Sequence, residues 1–157
     1  MPNSFDHITK SVQNLLSELP SDVLLVAAAK SRTPDEIQAA MDAGIRYFGQ
    51  NYIQEAEDVI PSMRTDAKWH MIGHLQRNKV NKAVLLFDMI ESLDSPRLAR
   101  KINQSCEREG ITMPVLIEIN SGRESSKTGV LPADTPSLAR LVDELPHLHL
   151  QGLMTMG

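Results

Sequence analysis

The residue best placed to do chemistry is Lys30. It ends the apolar run Val23 to Ala29, just before the helix-start pair Thr33-Pro34. An amine held in apolar surroundings is disfavoured as ammonium, which leaves it free to condense with a carbonyl. A lysine after a strand is also commonly a solvated turn residue, so position has to decide between the two. Side chains alternate along a strand, placing Leu24, Val26, Ala28 and Lys30 on one face. The small Ala28 beneath Lys30 would leave room for a ligand.

Other candidates are weaker. His70 and His74 share a strand parity that invites a metal reading, but Gly73 and the lack of a nearby carboxylate or thiol argue against a metal site. Cys106 falls on the apolar stripe of a helix and reads as an inert core thiol. His147 and His149 flank the start of a strand, and Arg97, Arg100 and Lys101 read as a solvated helix face. The segment Ser121 to Gly129, SGRESSKTG, offers hydroxyls, a lysine and backbone amides beside a strand end, and reads equally as a polar surface loop.

Composition sets the outer bounds. Sixteen Lys and Arg against 20 Asp and Glu give a net charge of −4, with no basic excess to suggest nucleic acid as a partner. The single cysteine cannot form an intramolecular disulfide, which favours a reducing compartment, and a cytoplasmic location is expected. No apolar run approaches the roughly 18 to 20 residues of a membrane span, and no signal-peptide pattern opens the chain.

The elements that would position Lys30 follow from periodicity. Phe5, Ile8, Val12, Leu15, Leu16 and Leu19 predict an opening helix, with Ser4 available as its cap. Val23 to Ala29 predicts a strand covered on both faces. Thr33, Pro34 and Glu36 start a helix with a capping box, and Gly44 stops it. Further strands are predicted at Ile45 to Phe48, Trp69 to Ile72, Phe87 to Glu91, Val115 to Asn120 and Leu150 to Met154. Helices between them end at Pro61, surround Val80 to Val84, run from Ser95-Pro96 to Gly110, and run from Thr135-Pro136 to Pro146. Six strands alternating with five helices predict a parallel sheet with right-handed crossovers.

Two architectures fit that pattern: an open doubly wound sheet, or a (β/α)8 barrel with about six of its eight units. No Gly-x-Gly-x-x-Gly follows the first strand and no Walker-type loop is present. A barrel typically needs about 250 residues, so a barrel here would be partial. On the strand at Val115 to Asn120, Val115, Ile117 and Ile119 would face helices, and Leu116, Glu118 and Asn120 would face inward. That polar end is where α/β proteins bind ligands.

Five segments in series, VAAAKSRTPDEI, FGQNYIQEA, WHMIGHLQRNK, EINSGRESSKTGV and QGLMTMG, resemble the YggS/PROSC family of pyridoxal phosphate homeostasis proteins. The resemblance implies one α/β domain over residues 1–157, a partial TIM barrel of the alanine racemase fold type, without the second β-rich domain of the racemases. It implies pyridoxal 5'-phosphate held as a Schiff base on Lys30, with Asn51 beside the ring and Met154 contributing from the sixth strand. The family's Gly-Glu-Asn stands here as Gly49-Gln50-Asn51, which keeps the asparagine and loses a carboxylate. The family's last two strands, whose loops hold the phosphate, have no counterpart in these 157 residues.

The function implied is a non-catalytic carrier of pyridoxal phosphate, with apo-enzymes that use the cofactor as partners. One alternative is a fold-related enzyme such as an amino-acid racemase, which needs an acid/base on each face of the substrate carbon where only one lysine is well placed. The other is a fragment unable to bind.

Overall fold

The computed structural model describes residues 5–63, 66–124 and 127–156. Helix α1 (Asp6–Glu18) precedes strand β1 (Val26–Ala28), and the chain then alternates. It runs through α2 (Pro34–Asp42), β2 (Tyr47–Gln50), α3 (Ile53–Val59), β3 (Lys68–Met71), α4 (Val80–Leu86), β4 (Met89–Leu93), α5 (Pro96–Glu109), β5 (Met113–Glu118), α6 (Thr135–Asp143) and β6 (Leu148–Met154). Short 3-10 turns occupy Ile60–Ser62 and Arg77–Lys79.

All strand pairs are parallel, and the sheet order is β1-β2-β3-β4-β5-β6. A doubly wound sheet reverses its direction of growth partway; this one does not. Right-handed crossovers that all step the same way put every helix on one face. The order is therefore that of a barrel wall, and the six strands do not close on one another.

The helix-covered face holds the core. Phe48 stacks on Trp69 at 5.2 Å between centroids, and Ile37, Met41, Val80, Ile90, Leu98, Ile102, Val115, Ile117, Leu138 and Val142 are buried with them. Each such side chain contributes roughly 1.5–3 kcal/mol on leaving water. Local signals agree with the packing. Thr33 and Glu36 form the expected capping box, Ser95 caps α5 through the Leu98 N–H, and Gly110 ends α5 in the left-handed region at φ 66.

Several boundaries differ from the periodicity. The expected strand from Val23 shrinks to Val26–Ala28, leaving Val23 and Leu24 49% and 51% exposed. This strand lies at the sheet edge and pairs with β2 alone, so residues before Val26 have no ladder partner. Ile45 closes α2, its N–H donating to the Ala40 carbonyl past Gly44 at φ 121, so β2 starts at Tyr47. Phe87 likewise still donates to Ala83 at the end of α4, and β4 starts at Met89. The third and fifth strands start earlier than expected, at Lys68 and Met113, and the sixth at Leu148. Pro61 falls inside the 3-10 turn that follows α3 rather than ending the helix. Ser4, the expected cap of α1, lies outside the described residues; Phe5 occupies the cap position without a side-chain bond.

Candidate functional site

Parallel register carries one row of side chains across the uncovered face. Ala28 stands beside Gly49, Gly49 beside His70, and His70 beside Met89. Two residues further along, toward the C-terminal ends of the strands, come Lys30, Asn51 and Ile72. Ala28 and Gly49 are both small, but the room that Gly49 leaves is taken by the Ile72 side chain, whose Cδ1 would lie 2.6 Å from a Cβ there.

A tight turn presents Lys30. The Arg32 N–H donates to the Ala29 carbonyl at 3.1 Å, and Ser31 sits in the left-handed region at φ 58, a conformation few non-glycine residues adopt. The Ser31 N–H donates to Glu55 Oε2 at 3.0 Å, which ties this turn to α3. Lys30 itself is exposed, with Nζ 5.3 Å from the centroid of the Tyr52 ring. A cation over an aromatic face is weakly attracted, enough to orient the amine without occupying it as a carboxylate would. Among the described residues Lys30 makes no ion pair.

Asn51 is half-buried and lines a cleft of about 390 Å³ with Tyr52, Gln54, Gly73, His74, Gln76 and Lys79. Gly73 makes this geometry possible, because a Cβ there would lie 2.3 Å from the Asn51 carbonyl oxygen. Only a residue without a side chain lets the two strand ends approach so closely. The buried Gln50, which stands where the family has glutamate, points its Nε2 at the Ala29 carbonyl at 3.5 Å. It thereby braces the turn that carries Lys30.

The two histidines separate. His70 is buried with its Nδ1 2.6 Å from Glu91 Oε1, and Tyr47 packs edge-on against its ring. His74 is exposed, 3.4 Å from Asp94. Among the described residues no cluster of three or more His, Cys, Asp or Glu side chains is arranged to hold a metal.

At the far edge, Met154 pairs in register with Glu118 and shares its inward face. Lys30 and Asn51 thus sit on neighbouring strands, whereas Met154 stands at the opposite edge of the sheet. Glu118 and Asn120 are buried at the end of β5. Thr128 Oγ1 donates to Glu118 Oε1 at 2.6 Å, while Oε2 has no hydrogen-bond partner. The Asn120 amide donates to the Glu124 carbonyl at 2.7 Å and accepts from the Glu124 N–H at 3.1 Å. Asn120 therefore shapes the loop that follows it. Within SGRESSKTG, residues 125 and 126 lie outside the described residues. Cys106 is fully buried, and that burial pushes its thiol up to about 11.

Sequence reading gave no site role to Tyr52, Glu55 or Gly73, and it expected no carboxylate near His70, where the structure places Glu91. Tyr52 had a signal, since it directly follows Asn51. The other three depend on cross-strand neighbours that spacing within one segment does not reveal.

A one-way parallel wall with helices between all its strands defines an α/β domain of the barrel class. Over residues 4–157 the chain matches the family model described as alanine racemase, N-terminal domain. The pyridoxal phosphate homeostasis protein of Mus musculus is 38% identical over 165 residues, covering 96% of this chain and 60% of its own length. That of Vibrio cholerae is 36% identical over 166 residues, covering 98% of this chain and 68% of its own. The structure of PipY from Synechococcus elongatus with PLP bound is 32% identical with a TM-score of 0.88, over 96% of this chain and 70% of that one. The chain belongs to the pyridoxal phosphate homeostasis family within the alanine racemase N-terminal fold, and spans about 60% of the mouse relative's length.

Proposed function

We propose that the chain carries the part of a pyridoxal phosphate homeostasis protein that captures the cofactor's aldehyde. The observation that carries this reading is Lys30: an exposed, unpaired amine above the small pair Ala28 and Gly49. The residues present fit that end of the group. Pyridoxal phosphate supplies an aldehyde that condenses reversibly with a primary amine. Lys30 would supply the amine, Tyr52 would hold the side chain over the site, and Asn51 would line the cleft beside it. Met154 would contribute from the far edge of the same domain. The relatives' name and the PLP-bound PipY structure support the same assignment.

The reading is of a cytoplasmic carrier that delivers cofactor to apo-enzymes without turning over a substrate. No described helix is long and apolar enough to cross a membrane. Racemisation would need a second acid/base facing the substrate carbon. On the inner face His70 is buried and already bonded to Glu91.

Titrating the purified chain with pyridoxal phosphate tests this reading. A visible absorption band is expected to grow with cofactor in the wild type and to be absent in Lys30→Ala. Asn51→Ala is expected to weaken binding by about tenfold, the scale of one lost polar contact. An equal band in Lys30→Ala would contradict the assignment. Release of deuterium from α-deuterated amino acids by the loaded protein would replace the carrier with an enzyme.

A further inference from the structure

Away from the inner face, Arg77, Arg97, Arg100 and Lys101 line a cleft of about 820 Å³ together with Asn78 and Gln104. The cleft lies between the 3-10 turn Arg77–Lys79 and the first half of α5. Elsewhere five described cations are neutralised, Arg32 by Glu36, Arg46 by Asp66, Lys68 by Asp88, Lys82 by Glu57 and Lys127 by Glu124, while others such as Lys10, Arg123 and Arg140 stand singly on separate elements. None of the four cations in the cleft has a carboxylate partner among the described residues. The nearest carboxylate in an adjoining cleft, Asp94, already stands beside His74.

Local energetics disfavour this arrangement. Arg97, Arg100 and Lys101 are spaced i, i+3 and i+4, so their like charges sit over one another on α5. The first turn of α5 has no acidic residue, and Glu107 and Glu109 lie at the other end of the helix. Helix dipoles favour the reverse order, anions first and cations last. Four unpaired cations on two adjacent elements, in a chain of net charge −4, form a local field that an anionic partner would relieve.

We infer that this cleft docks an acidic, Asp- and Glu-rich segment of a partner protein. Three guanidinium groups match carboxylates in fork geometry, and the Asn78 and Gln104 amides can both donate to and accept from a peptide backbone. Nucleic acid fits less well. No aromatic side chain lines the cleft to stack a base. The surface does not depend on the cofactor reading. Its end at Arg77 adjoins the cleft that runs past His74 and Gln76 toward Asn51.

Fluorescence anisotropy with a labelled oligoglutamate peptide tests the inference. The wild-type chain is expected to bind the peptide with an affinity that falls as salt is raised. The double variant Arg97→Glu, Arg100→Glu is expected to bind at least about tenfold more weakly, since reversing rim charges opposes the partner directly. A control, Lys10→Glu with Arg140→Glu, makes the same change in net charge on α1 and α6 and is expected to bind within about twofold of wild type. Circular dichroism establishes that both variants are folded. Absence of wild-type binding, an equal loss in the control, or tighter binding of a single-stranded oligonucleotide than of the peptide would overturn it.

Discussion

On the helix-covered face of the sheet, Phe48 stacks on Trp69 and the side chains of Ile90, Val115 and Ile117 are fully enclosed. On the opposite face the same strands carry Ala28, Gly49, His70 and Glu118. The first face contains what a fold needs, large apolar groups in close contact. The second contains what packing alone would not select: two small residues side by side, a buried His–Glu pair, and a 7%-exposed glutamate with one unpaired oxygen. The strands are stabilised from one side and keep their chemical options on the other.

The largest predicted effect falls on the outer face. Trp69→Ala removes a stacked, 3%-exposed indole and is expected to lower stability by about 3–5 kcal/mol, read by chemical denaturation. A loss below about 1 kcal/mol would mean that this face does not carry the fold.

Gly73→Ala sharpens the comparison at the site's rim. The added methyl would meet the backbone of Asn51, which yields less readily than a side chain, so a loss of about 1–3 kcal/mol is expected. Cofactor binding should weaken as well, because Asn51 must move. Unchanged stability and unchanged binding together would show that the strand ends tolerate separation.

A smaller effect is expected where the inner face meets solvent. Thr33→Ala deletes the cap of α2, directly after the Lys30 turn, at a cost of about 1 kcal/mol. The Thr33 backbone N–H, donating to the Glu36 carboxylate at 2.8 Å, holds that carboxyl below its ordinary value. A depressed carboxyl stabilises the fold above its unfolded-state value, and the contribution is lost as pH falls through the folded one. Glu36→Gln should therefore flatten the acid limb of the stability profile, and an unchanged limb would remove this role.

The last prediction concerns reactivity. With its thiol pushed up to about 11 by burial, Cys106 should carry roughly 100-fold less thiolate near pH 8 than an ordinary cysteine. Labelling by a thiol reagent should be slow in the native chain and fast in denaturant. Rapid native labelling would place Cys106 outside the core.

Much of the outer face was legible in the sequence because its signals are local. The apolar stripe of α5 that carries Cys106, the Thr33–Glu36 box and Gly110 are written within single segments, and each appears where expected. Strand starts were less legible where helix ends and strands compete for the same residues, as at Ile45 and Phe87. Lys30 was visible from its place after an apolar run, although it stands in the turn after β1 rather than on the strand. The place of Gly49 beside Ala28 was not, since only the pairing of β1 with β2 brings them together. Tyr52, Glu55 and Gln50 hold the Lys30 turn from other elements, and no spacing rule connects them to residue 30.

The central claim is that Lys30 is the amine that holds the cofactor. Borohydride reduction of the chain incubated with pyridoxal phosphate, followed by peptide mass mapping, tests it most directly. One reduced cofactor adduct is expected per chain, on the peptide containing Lys30, and its yield should collapse in Lys30→Ala without loss of fold. Adducts spread over exposed lysines such as Lys10, Lys79 and Lys82, with Lys30 no richer than they are, would contradict the account.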